Sequence, residues 1–441
     1  MKRKITLILI AIVTTISIQT SQGQWSTATL SSGRDFMAAA SFGTKAVFAG
    51  GIGITTILTS TSDVYNATTG GWSTVTISKG RTSLAAGAAN NRIIFAGGAD
   101  DWILSVFDNV DIYNTTTGAL NSTTMSVARA KLAGAGAGTK IVFAGGEDGN
   151  TALNTVDIYE SGTNTWTTAQ LSAPRFNLCG ASAGNKIVFA GGTDFNSNFY
   201  SNVDIYDVTT GVWTAAQLSE ARANCAATSQ GDKIYIGGGS TATGESKVID
   251  IYDVITNTWT VDSLSQARAY LCAGTALNRV FFAGGGDANL SSAYKTVDIF
   301  NTTTNAWTVD SLSAARTLAS ATGVGNKFII GGGFAGGFGF PLNSVEIYTV
   351  VNTGIEQVLD NQSAFQLMPN PATDKVEINL NSNIKTATLD VFNSIGEKVY
   401  TKNVEVGLTS VSVSINNFPA GIYFVKLYDG ENVFTQKLIK E

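Results

Sequence analysis

The residues with the most regular chemical pattern are seven arginines, which recur about every 47 positions along the chain. A ring of guanidinium groups could bind an anion such as the carboxylate of an acidic sugar. The same groups could instead have a structural role, by donating hydrogen bonds to carbonyl or acidic groups of a neighbouring repeat, and this is the interpretation that we favour. The arginines are Arg34, Arg81, Arg129, Arg175, Arg222, Arg268 and Arg316.

A second group of candidates lies in the segments that follow each of seven diglycines. These segments are the part of the repeat whose length varies, and variable loops on a rigid scaffold often bind ligands. Aromatic rings beside carboxylates suit the faces of sugars or peptides, although the same residues could simply cap their own loops. The binding candidates are Asp100, Asp101, Trp102, Asp148, Asp194, Phe195, Tyr200, Asp287, Tyr294 and Phe338.

The composition excludes several kinds of chemistry. Histidine is absent from the 441 residues, which removes histidine-based nucleophile activation, proton shuttles and histidine-ligated metal sites. The net charge of −5 and the lack of basic runs argue against a nucleic-acid partner. We predict no metal, no cofactor and no catalytic residue from these patterns, and catalysis is less expected than binding.

Three cysteines are too few for a disulfide scaffold. Cys179 and Cys272 occupy the same position in the fourth and sixth repeats, whereas Cys225 is offset by one. A disulfide cannot join two cysteines whose Cα atoms are more than about 7 Å apart, and this excludes a bridge between repeats that are not adjacent. We therefore expect the cysteines to be small buried residues that replace alanine.

These residues belong to a repeat of seven units, each with a tryptophan (Leu120 in one unit), the arginine nine residues later and a diglycine after sixteen more. An acidic–aliphatic–aromatic triplet follows. Each unit predicts four short strands, because small, continuously apolar and alternating segments succeed one another. A turn that requires a positive φ is predicted where only glycine and asparagine occur. These turn residues are Gly70, Gly118, Asn164, Gly211, Asn257 and Asn305.

The diglycine and the spaced Tyr and Trp residues resemble the kelch repeat over about Trp25 to Tyr348. The resemblance implies an all-β fold, a seven-bladed β-propeller of four-stranded blades. The last unit stops after its third strand, so we expect the N-terminal strand from Trp25 to complete the seventh blade. Enzymes such as sialic acid epimerases and copper oxidases exist on this fold, but the copper site needs histidine ligands and is therefore excluded.

The chain begins with a basic segment and an apolar stretch from Ile5 to Ile18, which is typical of a signal peptide. Small residues predict cleavage between Gly23 and Gln24, which would leave no integral membrane segment. Residues 365–441 form alternating strands that predict a small Ig-like β-sandwich. The Pro-Asn-Pro motif after Met368, the segment that begins at Pro419 and the terminal lysines resemble the type A C-terminal sorting domain of the type IX secretion system.

The resulting organisation is a signal peptide at 1–23, a propeller at 24–349, a linker at 350–364 and a sorting domain at 365–441. The second resemblance implies a Bacteroidota-type export route, with secretion machinery as a partner and a secreted or cell-surface location. The leading hypothesis is a binding module for an extracellular glycan or protein. The alternatives are a carbohydrate-active enzyme, such as an epimerase that uses carboxylates and arginines on the face of the propeller that carries the variable loops, and a structural surface or matrix component.

Overall fold

The computed structural model describes residues 23–54, 57–100, 105–336, 339–351, 365–380, 387–394, 396–404, 409–428 and 433–441. Within these residues, every regular secondary-structure element is a β-strand. The described residues include no helix that is long and apolar enough to cross a membrane. The strands fall into two compact units that divide between Thr353 and Gly354. Residues 1–22 of the predicted signal peptide and residues 352–364 of the predicted linker lie outside the described residues.

The first unit is a ring of seven four-stranded antiparallel sheets, which confirms the predicted seven-bladed propeller. The N-terminal strand is β1 (Gln24–Thr29). The strands of blades 1 and 2 are β2 (Ala38–Phe42), β3 (Lys45–Ala49), β4 (Thr61–Asn66), β5 (Trp72–Thr76), β6 (Ala85–Ala89), β7 (Arg92–Ala96), β8 (Asn109–Asn114) and β9 (Leu120–Thr124). Those of blades 3 and 4 are β10 (Ala133–Ala137), β11 (Lys140–Ala144), β12 (Thr155–Glu160), β13 (Thr165–Gln170), β14 (Cys179–Ala183), β15 (Lys186–Ala190), β16 (Asn202–Asp207) and β17 (Trp213–Gln217).

Blade 5 carries an additional two-stranded hairpin in its loop, and blade 7 takes its fourth strand from the beginning of the chain. The strands of blade 5 are β18 (Ala226–Gln230), β19 (Lys233–Gly237), β20 (Ser240–Thr241), β21 (Gly244–Glu245), β22 (Val248–Asp253) and β23 (Thr258–Ser263). Those of blades 6 and 7 are β24 (Cys272–Ala276), β25 (Arg279–Ala283), β26 (Thr296–Asn301), β27 (Ala306–Ser311), β28 (Ser320–Val324), β29 (Lys327–Gly331) and β30 (Ser344–Thr349).

The ring closes through antiparallel pairing of β1 with β30, in a register that places Trp25 opposite Tyr348. The prediction that the N-terminal strand completes the seventh blade is therefore confirmed. Each innermost strand also contacts the innermost strand of both neighbouring blades, including β2 with β28. Closure satisfies the backbone of strands that would otherwise end the ring with open edges.

Side-chain size explains the order of strands within a blade. The second strands are continuously apolar and fully buried, as at Ile141, Val142 and Phe143. The innermost strands are crowded, because a Cβ atom on Gly134 would lie 2.5 Å from the Ala86 carbonyl oxygen of the neighbouring blade. Only small residues fit there. The predicted positive φ at the outer turns is also confirmed, with values between 53° and 73° at all six positions.

The second unit is a β-sandwich with seven strands among its described residues, one more than the sequence predicted. A three-stranded sheet (β31-β32-β35) faces a four-stranded sheet (β34-β33-β36-β37), and apolar residues from both sheets share one buried core. The strands are β31 (Phe365–Met368), β32 (Lys375–Leu380), β33 (Ala387–Asn393), β34 (Lys398–Val404), β35 (Ser410–Ser414), β36 (Gly421–Tyr428) and β37 (Val433–Lys440).

Candidate functional site

One face of the propeller, here called the loop face, carries the connections between blades and the loops between second and third strands. The residue after each repeat arginine forms a β-bridge with the residue after the diglycine of the same blade. Ala130 pairs with Glu147 in blade 3, and Phe176 pairs with Thr193 in blade 4. The two sets of loops therefore lie together, as the alternation of loops in a four-strand meander predicts.

Each repeat arginine is buried at the base of this face, and blade 4 shows how it is held. Arg175 Nε donates to the Gly191 carbonyl at 2.7 Å, and Nη2 donates to the Phe189 carbonyl at 3.3 Å. Nη2 also lies 2.7 Å from Asp204 Oδ2. The other Asp204 oxygen accepts the backbone N–H of Ser172 in the connection between blades, at 3.0 Å. The guanidinium group thus fastens the connection to the blade that follows it.

All seven arginines have no exposed surface and form an ion pair with the acidic residue of the triplet, at 2.5–2.9 Å. We predicted acceptors in a neighbouring repeat, but these acids belong to the blade that the arginine introduces. Burial lowers the pKa of Arg81, while the carboxylate of Asp111 opposes this shift. Because the seven groups are buried and paired, none of them is available to hold a solvent-borne anion.

The link to the preceding blade comes from the arginine backbone. The N–H of Gly51, the second glycine of the blade 1 diglycine, donates to the Arg81 carbonyl at 2.9 Å. Gly50 adopts φ = +68°, and a Cβ atom there would lie 2.6 Å from the same carbonyl oxygen. The diglycine therefore provides both a left-handed backbone and the space for this close approach.

Seven residues form a closed ring of backbone hydrogen bonds where the innermost strands begin, and we call it the mouth ring. Each member lies two residues after a repeat arginine, and its N–H donates to the carbonyl of the member in the preceding blade, at 2.9–3.3 Å. The ring closes because Phe36 donates to Leu318. The members are Phe36, Ser83, Lys131, Asn177, Asn224, Tyr270 and Leu318.

The side chains of the mouth ring do not follow the backbone preference of their position. All seven have φ between 45° and 60°, a region that favours glycine and asparagine. The outer turns, with similar φ, contain only those two residue types, whereas just two of the seven ring members are asparagine. Sequence reasoning missed this ring, although the variation two residues after each fixed arginine could have indicated it.

The mouth ring surrounds one end of a central cavity of about 240 Å³. Small residues from all seven innermost strands line it, among them Ala40, Gly87 and Ala135. Its side-chain polar groups are hydroxyls, such as Ser182, which donates to the Gly136 carbonyl of the adjacent blade at 2.6 Å. The wall of the cavity is thus uncharged, and the chemically varied side chains of the loop face lie at its mouth.

Blades 3 and 4 present a continuous patch on the loop face, here called the aromatic patch. Lys131 of the mouth ring lies 3.3 Å from the buried carboxylate of Glu147, and its Nζ is 5.2 Å from the ring centroid of Phe176. The Phe176 ring is 5.0 Å from that of Phe195, which is 50% exposed. An exposed ring backed by a buried ring and an ammonium group can stack against the apolar face of a ligand.

The predicted loop acids accept hydrogen bonds from their own loops. Asp148 accepts the N–H groups of Asn150 and Thr151, at 2.9 Å and 2.7 Å, and these bonds lower the pKa of its carboxyl. Asp194 accepts the Asn198 side chain at 2.8 Å, which lowers its pKa, and the Tyr200 hydroxyl at 3.1 Å.

Asp287 accepts the N–H and the hydroxyl of Ser291, with the same effect on its pKa. These carboxylates thus shape their own loops.

The remaining candidates are spread over other blades. Asp100 is half-buried in the blade 2 loop, where its N–H donates to the Ser105 carbonyl at 3.0 Å. Tyr294 is half-buried in blade 6, and its carbonyl accepts the N–H of Arg316 at 3.1 Å. Asp101, Trp102 and Phe338 lie outside the described residues.

Two family models agree with this architecture. The family model for the kelch motif matches residues 128–170, 174–217 and 221–262, which contain blades 3 to 5. The model for the secretion system C-terminal sorting domain matches residues 366–441. A solved structure titled "Structure of YjhT" is 16% identical, with a TM-score of 0.48, over 60% of this chain and 94% of that chain.

A curated relative, karilysin from Tannerella forsythia, is 33% identical over 89 residues. The match covers 18% of this chain and 19% of karilysin, so this chain spans about a fifth of that relative.

The chain therefore contains kelch motifs within a seven-bladed β-propeller. Its C-terminal sandwich is a type IX secretion sorting domain, which implies recognition by that secretion machinery and export to the cell surface or the extracellular space.

Proposed function

We propose that the propeller is a non-catalytic binding module for an extracellular glycan or protein, and that the loop face is its binding surface. The observation that carries the proposal is the composition of the mouth ring. Residues such as Phe36, Tyr270 and Leu318 adopt a backbone conformation that disfavours them. Strain of this kind accumulates at functional sites, where the side chain has a task beyond folding.

The aromatic patch supplies a concrete contact surface for such a ligand. Phe195 is half exposed, and the ammonium group of Lys131 and the amide of Asn198 are polar groups on the same part of the face. A ring with polar groups beside it can stack on the apolar face of a sugar, while the polar groups bond its hydroxyls. The mouth ring and this patch differ from blade to blade, which is what recognition of an asymmetric ligand requires.

A carbohydrate-active enzyme is the second hypothesis, and two observations argue against it. Its arginines would have to reach substrate, but the repeat arginines are buried in ion pairs. A general acid or base works best with a pKa near neutral pH, whereas hydrogen bonds lower the pKa of Asp148 and Asp194. Burial raises the pKa of Asp35 to about 6, but this residue is only 6% exposed, so its carboxyl group has little access to a substrate.

The binding proposal is tested with the mature exported protein on arrays of glycans and polysaccharides, and by capture of extracellular proteins. We expect saturable binding without chemical change of the ligand. Phe195→Ala should weaken it at least about tenfold, because truncation of an aromatic contact residue commonly has an effect of this size. Ile255→Ala is the matched control, since Ile255 is 73% exposed in an outer turn on the opposite face.

Other outcomes would overturn the proposal. Ligand turnover would support the enzyme, and absence of binding in both assays would support a structural surface component. Equal binding by the wild type and Phe195→Ala, with weaker binding by Ile255→Ala, would place the binding surface on the opposite face.

A further inference from the structure

Two of the three cysteines meet between neighbouring blades, although 46 positions separate them in the chain. Cys179 is the first residue of β14 in blade 4, and Cys225 immediately precedes β18 in blade 5. Their Sγ atoms are 2.7 Å apart. A disulfide has an S–S bond of about 2.05 Å, so a movement of about 0.7 Å would join them. The expectation that the cysteines are only small buried residues missed this contact.

The mouth ring holds the two cysteine backbones side by side. The N–H of Asn224, adjacent to Cys225, donates to the carbonyl of Asn177, two residues before Cys179, at 2.9 Å. This hydrogen bond fixes the separation of the two strands where the cysteines lie. The pairing therefore arises from the propeller framework and needs no rearrangement of the blades.

The repeat explains why the third cysteine has no such neighbour. A contact of this kind needs a cysteine four residues after one arginine and three residues after the next. Cys272 satisfies the first condition in blade 6, but the second position in blade 7 is Ala319, which packs against the cluster that contains Cys272. The Cys272 sulfur lies 3.4 Å from the Ala283 carbonyl of its own blade, a contact that Cys179 also makes, with Ala190 at 3.6 Å.

The two thiols are chemically unequal. The hydrogen bond from Cys179 lowers the pKa of Cys225, and the nearby Arg222 acts in the same direction. The same hydrogen bond, with burial, raises the pKa of Cys179. Cys225 is also the more exposed of the pair. Cys225 is thus suited to be the attacking thiolate, because the thiolate is the reactive form of cysteine.

We propose that Cys179 and Cys225 form a disulfide that joins blades 4 and 5 in the exported protein. Export takes the chain out of the reducing cytosol, and disulfides persist in such compartments. The oxidant is a protein disulfide of the thiol–disulfide exchange class. The Cys225 thiolate attacks one of its sulfurs and expels the other as a thiolate.

The second step closes the bond. The Cys179 thiol loses its proton to solvent, and its sulfur attacks Cys225 Sγ in the mixed disulfide, which releases the oxidant as a dithiol. In total the two cysteines lose two protons and two electrons, and the oxidant disulfide gains both.

The proposal is tested on protein collected after export and alkylated at once. Under denaturing, non-reducing conditions we expect one free thiol, at Cys272, and a cross-linked peptide pair that contains Cys179 and Cys225 and separates on reduction. Cys272→Ser should retain the cross-link and Cys225→Ser should lose it. Three free thiols in the exported wild type, or a cross-link to Cys272, would overturn the proposal.

Two further measurements test its structural basis. Reduction should lower the melting temperature of the wild type by about 5 °C, because the disulfide closes a long loop in the unfolded chain. The melting temperature of Cys225→Ser should not change on reduction. Ala319→Cys recreates the pattern in blade 7, so the exported variant should contain a second disulfide to Cys272 and no free thiol. Two free thiols in this variant, at position 319 and at Cys272, would contradict the geometric argument.

Discussion

The environment of Asp35 differs from that of Asp148, Asp194 and Asp287, the loop-face carboxylates that accept hydrogen bonds from their own loops. It follows the blade 1 arginine and is 6% exposed, and its Oδ1 has no hydrogen-bond partner among the described residues. Burial raises its pKa to about 6. Asp148 and Asp194, by contrast, accept several hydrogen bonds, and their pKa values are lowered. The same residue type therefore has opposite effects on stability at different places.

The first prediction concerns the pH dependence of stability. The folded state holds the Asp35 proton more tightly than the unfolded chain does, so the contribution of Asp35 to the free energy of unfolding should fall as the pH rises from about 4 to about 6. Asp35→Asn removes this charge. At pH 8 we expect the variant to be about 1–3 kcal/mol more stable than the wild type, as measured by urea denaturation.

Asp148→Asn is the control for Asp35→Asn. Asp148 is only partly buried and the pKa of its carboxyl group is lowered, so this variant should show no gain in stability at pH 8. A lower stability of Asp35→Asn than of the wild type at pH 8 would contradict the prediction.

At the scale of elements, each blade is fixed to the next by a connection without regular structure. Its anchors are the repeat arginine, the triplet acid and the diglycine, whose hydrogen bonds reach three different segments. This arrangement explains why these residues recur with fixed spacing, whereas the loop beyond the diglycine varies. The fixed part builds the loop face and leaves the variable part available for recognition.

The second prediction tests this anchor in blade 4. Arg175→Met leaves Asp204 buried without its cation, so the free energy of unfolding should fall by about 3–5 kcal/mol. Lys186→Ala in the same blade breaks the pair with Asp207, whose lysine is partly exposed. Solvent screens that pair, and the loss should be much smaller. Similar losses in urea denaturation for the two variants would contradict the structural role of the arginine.

At the scale of the whole propeller, the ring depends on non-covalent contact between the two ends of its chain. Trp25 in β1 donates its indole N–H to Asp310 of blade 6 at 2.9 Å, and its ring lies 5.0 Å from that of Tyr348. Trp307 makes the same kind of bond to Asp262 of blade 5, at 2.7 Å, within a continuous part of the chain. The two tryptophans therefore differ mainly in whether they close the ring.

The third prediction compares these two tryptophans. Trp25→Ala should increase amide hydrogen exchange throughout β1 and β30 and lower the melting temperature, because the terminal strand can separate from blade 7. Trp307→Ala should increase exchange only within blade 6. Unchanged exchange of β30 in Trp25→Ala, measured by mass spectrometry, would show that closure does not depend on this residue.

The sequence alone determined the repeat, the number of blades, the strand order, the outer turns and the sorting domain. Each of these depends on residue types at short, regular separations, such as Asn164 five residues after Tyr159, and local backbone preference is readable from such spacing. The variable loops were also predictable as the candidate surface, because their lengths break an otherwise constant repeat.

Only the tertiary structure decided which groups meet across blades. It placed Arg175 on the acid of its own blade, joined the seven strained residues into the mouth ring, and brought Cys225 beside Cys179. A one-residue offset in the repeat obscured the cysteine contact, since neighbouring blades face one another through different positions. The reason is geometric, because contacts between blades depend on closure of the ring, whereas the spacing of residues within one repeat describes only the blade itself.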